Sequence, residues 1–159
     1  MHGFSSARRL LETLDRKMST TLVRPYASPD RAAVVALWRE VFADDPPWNE
    51  PEGMIERKLT VQPQLFLVAE VEGRVVGTVL GGFDGVRGWI HHLAVQAVHR
   101  RKGIARLLMH AAEDGLKNIG CPKVNLQVRA TNLAVIEFYR SLGYNVEERA
   151  SLGKRLAAV

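Results

Sequence analysis

Three strand-like runs follow one another between residues 65 and 95, and this stretch constrains the fold more than any other. The runs are Leu65–Val71, Arg74–Phe83 and Trp89–Val95, with only short connections between them. The first connection is Glu72-Gly73, and the second contains Asp84-Gly85, a dipeptide typical of β-hairpins. Strands joined by hairpins are antiparallel neighbours in one sheet. The sequence therefore predicts an antiparallel meander in the middle of the chain.

Helical periodicity occurs on both sides of this meander. The longest example is Gly103–Asn118, whose apolar residues recur at helical spacing and which Gly120 ends. Similar spacing predicts two helices between residues 28 and 59 and one after Thr131 or Asn132. Four more strands are expected at Leu22–Tyr26, Lys123–Val128, Tyr144–Glu148 and Ser151–Leu156. The predicted class is α/β, with a mixed, mostly antiparallel sheet of about six to seven strands flanked by about four helices.

The size and composition of the chain limit its class. Its 159 residues correspond to one domain at about 150 residues per domain. The longest strongly apolar run, Ala32–Trp38, is far shorter than the roughly 20 residues that cross a bilayer, so no membrane partner is expected. Cys121 is the single cysteine and cannot form an internal disulfide. We therefore expect a cytoplasmic location.

Residues 1–17 differ from the rest of the chain. Apolar side chains from Ala7 to Met18 recur at helical spacing, which predicts a short amphipathic helix. We interpret residues 1–17 as an N-terminal extension, helical or disordered, ahead of a single domain over residues 18–159. A functional arm that packs on the domain or in a homodimer interface is the alternative.

The chain is basic, with 22 Lys and Arg residues against 17 Asp and Glu residues and a net charge of +5. These cations are scattered apart from Arg100, Arg101 and Lys102. Nucleic-acid-binding proteins typically present a longer basic face, often with interspersed aromatic residues. A short cluster of three cations suits a compact polyphosphate better, so nucleic acid is not the expected partner.

The basic cluster lies where a strand leads into a helix. Leu93-Ala94-Val95 ends the strand, and Gly103-Ile104-Ala105 opens the helix. The first N–H groups of a helix lack intrahelical partners and carry partial positive charge, so they bind anions. Gly103 permits close approach of a ligand to the backbone. A phosphate-binding P-loop is excluded because Gly103 is not followed by Lys and Ser or Thr.

Arg100-x-x-Gly103-x-Ala105, after a strand ending Leu-Ala-Val, resembles the acetyl-CoA signature of the GNAT N-acetyltransferases. Further matching segments follow in the family's order, among them Asn132-x-Ala134 with Phe138-Tyr139, and the resemblance covers about residues 22–156. Pro47-Trp48-Asn49 and Gly120-Cys121-Pro122-Lys123 resemble the bacterial YpeA-type branch. The resemblance implies the GNAT acyl-CoA N-acyltransferase fold, acetyl-CoA as co-substrate and no metal.

The resemblance also implies roles for individual residues. The Leu93 N–H would bond the acetyl oxygen, Val95 would pair with pantetheine, and the backbone from Arg101 to Ala105 would hold the pyrophosphate. Asn132 would contact the cofactor near its thiol. The Tyr139 hydroxyl would lie near the sulfur and act as the acid, and a core aromatic on an amphipathic helix is the alternative for Tyr139. The implied cofactor-binding set is Leu93, Ala94, Val95, Arg100, Arg101, Lys102, Gly103, Ile104, Ala105, Asn132 and Tyr139.

The general base is the least determined part of the site. Strand alternation predicts Trp89, His91, Leu93 and Val95 on one face and His92 on the other, so the two histidines are not expected to share a metal ion. His91 has a suitable pKa range for a base. Some family members carry a histidine or a glutamate at the position of Trp89, so the match is partial. A hydrogen-bonded sheet histidine is the alternative for His91, and the other candidate bases are Glu50, Glu52, Asp84 and a water molecule.

These observations favour an N-acetyltransferase that moves an acetyl group from acetyl-CoA directly to a primary amine. The alternatives are a catalytically silent CoA-binding regulatory module of the same fold and, from composition alone, a small nucleic-acid-binding protein. The acceptor is open between a small-molecule amine and a peptide amine. The sequence does not identify it further.

Overall fold

A computed structural model of the chain describes residues 7–11 and 20–157. The described part contains one sheet in the order β1-β2-β3-β4-β5. The strands are β1 (Thr21–Pro25), β2 (Phe66–Val71), β3 (Arg74–Phe83), β4 (Gly88–Val95) and β5 (Val124–Leu126). The first four strands are antiparallel neighbours, and β5 runs parallel to β4. The predicted meander over β2, β3 and β4 is confirmed.

Four helices cover the two faces of this sheet. They are α1 (Arg31–Val41), α2 (Pro51–Leu59), α3 (Ile104–Asn118) and α4 (Leu133–Ser141). Trp38 of α1 and Ile55 of α2 pack with Phe66 in one buried cluster, on what we call the α1 face. Leu108 of α3 and Tyr139 of α4 belong to the cluster on the opposite side, the α3 face. The α/β class is thus confirmed, and each face of the sheet buries its own core.

Close packing holds α3 against the sheet. A Cβ atom at Gly115 would lie 2.5 Å from Cδ2 of Leu65, so a side chain here would displace the buried Leu65. Leu108, Met109 and Leu116 are fully buried along the same helix. Full burial of such side chains stabilises a fold by about 1.5–3 kcal/mol each. The N-terminal end of α3 is thereby fixed relative to β4.

The C-terminal segment departs from the prediction. Neither Tyr144–Glu148 nor Ser151–Leu156 forms a strand, and residues 145–156 are exposed, so the described sheet has five strands rather than six to seven. Side-chain contacts hold this segment instead of a ladder. The Lys123 ammonium pairs with Glu147 at 2.8 Å, and the guanidinium of Arg155 lies 4.6 Å from the ring centroid of Trp48.

The N-terminal extension is described only in part. Residues 7–11 are helical and exposed, while the remainder of the predicted extension, residues 1–6 and 12–17, lies outside the described residues. The boundary expected between residues 17 and 18 lies outside them too. In the described ranges, no helix is long and apolar enough to cross a membrane.

Candidate active site

A bulge interrupts β4 in the middle of the meander. Thr78 of β3 is paired with Ala94 and Leu80 with His91, so His92 and Leu93 together lie opposite Val79 alone. His92 adopts a left-handed conformation with φ of 49°. An extra residue of this kind is a β-bulge, which bends the strand and redirects side chains.

Because of the bulge, the side chains of β4 are distributed between the two faces differently from the prediction. His91 and His92 both line a cleft on the α1 face, while Leu93 and Val95 pack into the core of the α3 face. Trp89 and His91 share a face as predicted, but Leu93 and Val95 do not join them. The extra residue at His92 shifts the alternation by one position, so the argument that separated the two histidines was wrong.

A buried hydrogen-bond chain supports the bulge. The indole Nε1–H of Trp38 donates to Oγ1 of Thr78 at 2.8 Å, and the Thr78 hydroxyl donates to the main-chain oxygen of His92 at 3.0 Å. Thr78 is completely buried. Its hydroxyl is thus the hydrogen-bond partner of both the Trp38 N–H and the His92 carbonyl. No sequence pattern indicated this role, because Thr78 lies in an otherwise apolar strand run.

Beyond the bulge, β4 and β5 separate. The strand β5 pairs only with Gly88–Ile90 of β4. The Gln96 N–H donates to the Val76 oxygen on β3 at 2.8 Å, and alternation therefore directs the main-chain groups of Leu93 and Val95 to the other edge. Their polar groups thus face the opening between the strands. The Val95 carbonyl accepts a hydrogen bond of 3.1 Å from Nε of Arg100.

The predicted anion site lies at the start of α3. Arg101 and Gly103 have left-handed backbones, with φ of 60° and 80°, so the turn before the helix is tightly curled. Arg100, Arg101, Lys102 and Gly103 are exposed, whereas Ile104 is buried. Consecutive N–H groups in such a turn and at a helix start form a concave anion-binding surface. This donor set fits a pyrophosphate.

Asn132 and Tyr139 lie on α4. The Asn132 side-chain oxygen caps the helix by accepting the Val135 N–H at 3.4 Å. Tyr139 is 8% exposed, with Leu93 and Val128 packed against the same cluster. Burial raises the pKa of Tyr139 to about 12, so its hydroxyl stays protonated at neutral pH. Among the described residues, no group accepts a hydrogen bond from this hydroxyl.

A cleft of about 410 Å³ opens on the α1 face between α2 and the ends of β3 and β4, and we call it the α2 cleft. Small-molecule sites are typically clefts of about 300–1,000 Å³. The lining residues that carry its chemistry are Lys58, Asp84, Trp89 and His91, over a floor that includes Gly82. Sequence periodicity predicts the helix that carries Lys58, but it does not indicate that this side chain faces a cleft.

The two histidines in the α2 cleft have different surroundings. His92 packs between Trp38 and Phe42 and is partly buried, with its Nε2 3.4 Å from Oδ2 of Asp45. Burial lowers the pKa of His92 to about 4, and the opposing Asp45 charge does not compensate. Burial against the cleft wall and the Lys58 charge lower the pKa of His91 as well. Both rings are therefore neutral at pH 7, and His91 is the more exposed.

The other candidate bases are engaged elsewhere. The Glu50 carboxylate caps α2 by accepting the N–H groups of Glu52 and Gly53, and Glu52 pairs with Arg39. Of the three, only Asp84 lines the α2 cleft. Its carboxylate accepts the main-chain N–H groups at residues 86 and 87 and is 3.3 Å from Nε1 of Trp89. These hydrogen bonds lower the pKa of Asp84 and make it a poor base.

His91 and His92 are both potential metal ligands, because a neutral imidazole can coordinate a metal ion. Within residues 7–11 and 20–157, no group of three or more His, Cys, Asp or Glu side chains could hold a metal ion. The proximity of His91 and His92 thus provides two nitrogen atoms without a third ligand. Asp45, which contacts His92, does not complete such a group.

The α/β fold is that of a class of acetyltransferases. Residues 34–144 match the sequence profile of the acetyltransferase (GNAT) family. The chain is 45% identical to an acetyltransferase of Yersinia pestis over 134 residues, covering 84% of this chain and 94% of the relative. An acetyltransferase of Pectobacterium atrosepticum is 46% identical over the same length and coverage. The chain therefore belongs to the GNAT acetyltransferase family.

Solved structures agree with this fold. Ard1 from Thermoplasma volcanium superposes with a TM-score of 0.73 at 24% identity, over 80% of this chain and 84% of Ard1. Aminoglycoside N-acetyltransferase AAC(6')-Iy in complex with CoA has a TM-score of 0.72 at 16% identity, over 86% and 95% of the two chains. At these identities, the likeness concerns the fold alone.

Proposed function

We propose that this protein transfers an acetyl group from acetyl-CoA to a primary amine, with the donor at the β4 bulge and the acceptor in the α2 cleft. The observation that carries the proposal is the position of the bulge between two openings. One opening, between β4 and β5, receives main-chain groups of Leu93 and Val95 and leads to the curled turn before α3. The other is the α2 cleft, lined by His91.

The residues around the bulge have the chemistry that direct transfer requires. The donor, when bound, supplies a thioester whose carbonyl carbon is attacked by a neutral amine. The Leu93 N–H is proposed to donate to the carbonyl oxygen as negative charge develops there, an effect that contributes about 10²–10³ in rate in other oxyanion holes. Exposed cations at Arg100, Arg101 and Lys102 are proposed to balance the phosphates.

Two side chains are proposed to handle the protons. A new C–N bond forms while the C–S bond breaks, and the amine must lose one proton as the departing sulfur gains one. His91, neutral at pH 7, accepts the amine proton directly or through a water molecule. The Tyr139 hydroxyl, which burial keeps protonated, donates to the sulfur. The net products are an acetamide and a free thiol.

Binding and turnover test the proposal separately. Titration calorimetry with acetyl-CoA should give saturable binding, and thiol release should follow addition of a suitable primary amine. Binding without thiol release across a broad amine panel would favour the silent CoA-binding module, and absence of binding would reject the donor site. A parallel DNA-retention measurement should show none, whereas strong salt-sensitive retention would favour the nucleic-acid alternative.

A further inference from the structure

We propose that Lys58 binds a carboxylate of the acceptor, so that the substrate of this acetyltransferase is a small amine that carries a carboxylate, as an amino acid does. This inference rests on the proposed function, since it assigns the acceptor that the α2 cleft would hold. Lys58 lies in the last turn of α2 and lines the cleft beside His91.

The Lys58 ammonium has no acidic partner in the described part of the chain. Its Nζ donates to two main-chain oxygens, that of Val61 at 2.9 Å and that of Gly81 at 2.5 Å. An ammonium carries three donors, so one remains for the cleft. Partial burial lowers the pKa of Lys58, because it removes water from the charge without supplying a counter-ion. A bound anion would supply the counter-ion that the protein itself does not provide.

The other charged residues that line the cleft also favour an acceptor with a negative group. Asp84 is the one carboxylate among the lining residues, and main-chain N–H groups already occupy it. Arg57, the other lining cation, donates to the main-chain oxygen of Trp48. His91 and His92 are neutral at pH 7. The cleft is therefore net positive, which favours an acceptor with a negative group and disfavours a polycationic amine.

The position of Lys58 also limits the size of the acceptor. A Cβ atom at Gly82 would lie 3.9 Å from the Lys58 Nζ, so the ammonium sits directly over the β3 floor. On the next strand, Trp89 pairs with Gly82 and His91 with Leu80. Lys58 and His91 thus lie over diagonal cross-strand positions, which are about 7–8 Å apart in a sheet. A carboxylate at Lys58 and an amine at His91 then belong to one small molecule.

Matched pairs of acceptors test this assignment. Thiol release is measured with acetyl-CoA and a panel of L-amino acids, each beside its own carboxamide, together with spermidine, at equal free-amine concentrations. We expect the carboxylate member to be preferred by about 10- to 100-fold in kcat/KM, the range for a hydrogen bond to a charged group, with spermidine poorer still. Equal or reversed preference within active pairs overturns the inference alone, while lack of turnover with every amine overturns it together with the proposed function.

Variants separate binding from a structural role of Lys58. K58M should reduce kcat/KM for the carboxylate members by about 10- to 100-fold, mainly through KM, and leave the carboxamide members nearly unchanged. K58R should retain part of the preference, because it keeps the charge. K117M removes an exposed lysine from the last turn of α3 and should change neither. An equal loss for both members in K58M would show a structural clamp and overturn the assignment.

Discussion

The hydroxyl of Thr78 donates a hydrogen bond of 3.0 Å to the main-chain oxygen of His92, at the residue that makes β4 bulge. This carbonyl cannot take part in a regular ladder, because its residue is in the left-handed region. The same hydroxyl accepts the indole N–H of Trp38. A completely buried side chain thus connects α1, β3 and the bulge, and through the bulge it supports the main chain of Leu93.

Thr78→Val should destabilise the protein and slow turnover. The valine has nearly the same shape but leaves the Trp38 N–H and the His92 carbonyl buried without partners, at a cost of about 1–3 kcal/mol each. We expect the free energy of unfolding in urea at pH 7 to fall by about 2–6 kcal/mol, the sum of the two costs. Thr78→Ser keeps the hydroxyl and should lose about 1 kcal/mol, the value of one buried methyl group. Equal losses in both variants would show that packing alone holds the bulge.

The neutral state of His92 makes folding sensitive to acid. The pKa of His92 is about 4 when folded and close to 6.5 when unfolded, so the unfolded chain binds more protons between these values. Stability should therefore decrease as pH falls from about 6.5 to about 4. For one such histidine, linkage gives a loss of about 2 kcal/mol between pH 7 and pH 5.

His92→Asn isolates this contribution. Asparagine tolerates the positive φ of position 92 and does not titrate, so its loss between pH 7 and pH 5 should be about 2 kcal/mol smaller than that of the wild type. Urea unfolding at the two pH values measures the difference. If the free energy of unfolding falls equally in the two proteins between pH 7 and pH 5, then burial does not hold His92 neutral.

Gly103→Glu should abolish acetyl-CoA binding and leave a folded protein. A Cβ atom at this position meets no atom within 4 Å, so a side chain can start into open space, although the φ of 80° costs about 1–2 kcal/mol. Its carboxylate lies where the phosphates are proposed to approach the start of α3, and calorimetry should show a loss of about 100-fold or more in affinity.

Gly120→Glu is the matched control for Gly103→Glu. It has the same open surroundings and a φ of 85°, but it follows the other end of α3. Its backbone strain and added charge are the same, so a similar loss of stability is expected with unchanged acetyl-CoA affinity. Equal losses of acetyl-CoA affinity in the two variants would show that the donor site is not at the start of α3.

The sequence alone was sufficient to predict the strands and helices whose residue pattern is local. The bounds of β3 were predicted to the residue, and α3 was displaced by one residue at its start. Strand alternation alone assigns Leu93 to the wrong face, because it takes no account of the bulge at His92. A single extra residue in a strand has no periodic signature, and the hydroxyl that supports this bulge lies on another strand.

Long-range contacts account for the remaining differences. Ser151–Leu156 alternates like a strand, but Leu152 is 93% exposed and Leu156 is 92% exposed. The pattern of a strand shows which of its residues are apolar. It does not show whether a partner strand lies beside it. Lys58 lines a cleft because α2 packs over Gly82, and the spacing of residues within α2 does not reveal this long-range contact.

His91→Gln should remove the acidic limb of the kcat/KM profile on an established acceptor. A base must be neutral to act, so activity falls as His91 gains a proton at low pH. Burial and Lys58 lower the pKa of His91, and the limb should therefore lie below the ordinary value of 6.5. The rate above the limb should fall by about 10²-fold or more. A limb that persists in the variant would assign the base to another group or to water.

Tyr139→Phe should lower kcat by about 10²-fold with little change in acetyl-CoA affinity, as general acids contribute about 10²–10⁴. The phenylalanine keeps the ring contacts with Phe138 and Tyr144, whose centroids lie 5.2 and 5.7 Å away. Because burial raises the pKa of Tyr139 to about 12, the hydroxyl donates over the whole accessible pH range and its loss should add no new limb below pH 9. Tyr144→Phe is the control, since the Tyr144 hydroxyl is bonded to Glu113 at 3.0 Å and should not affect kcat. Wild-type turnover in Tyr139→Phe on an established substrate would reject its role as the proton donor.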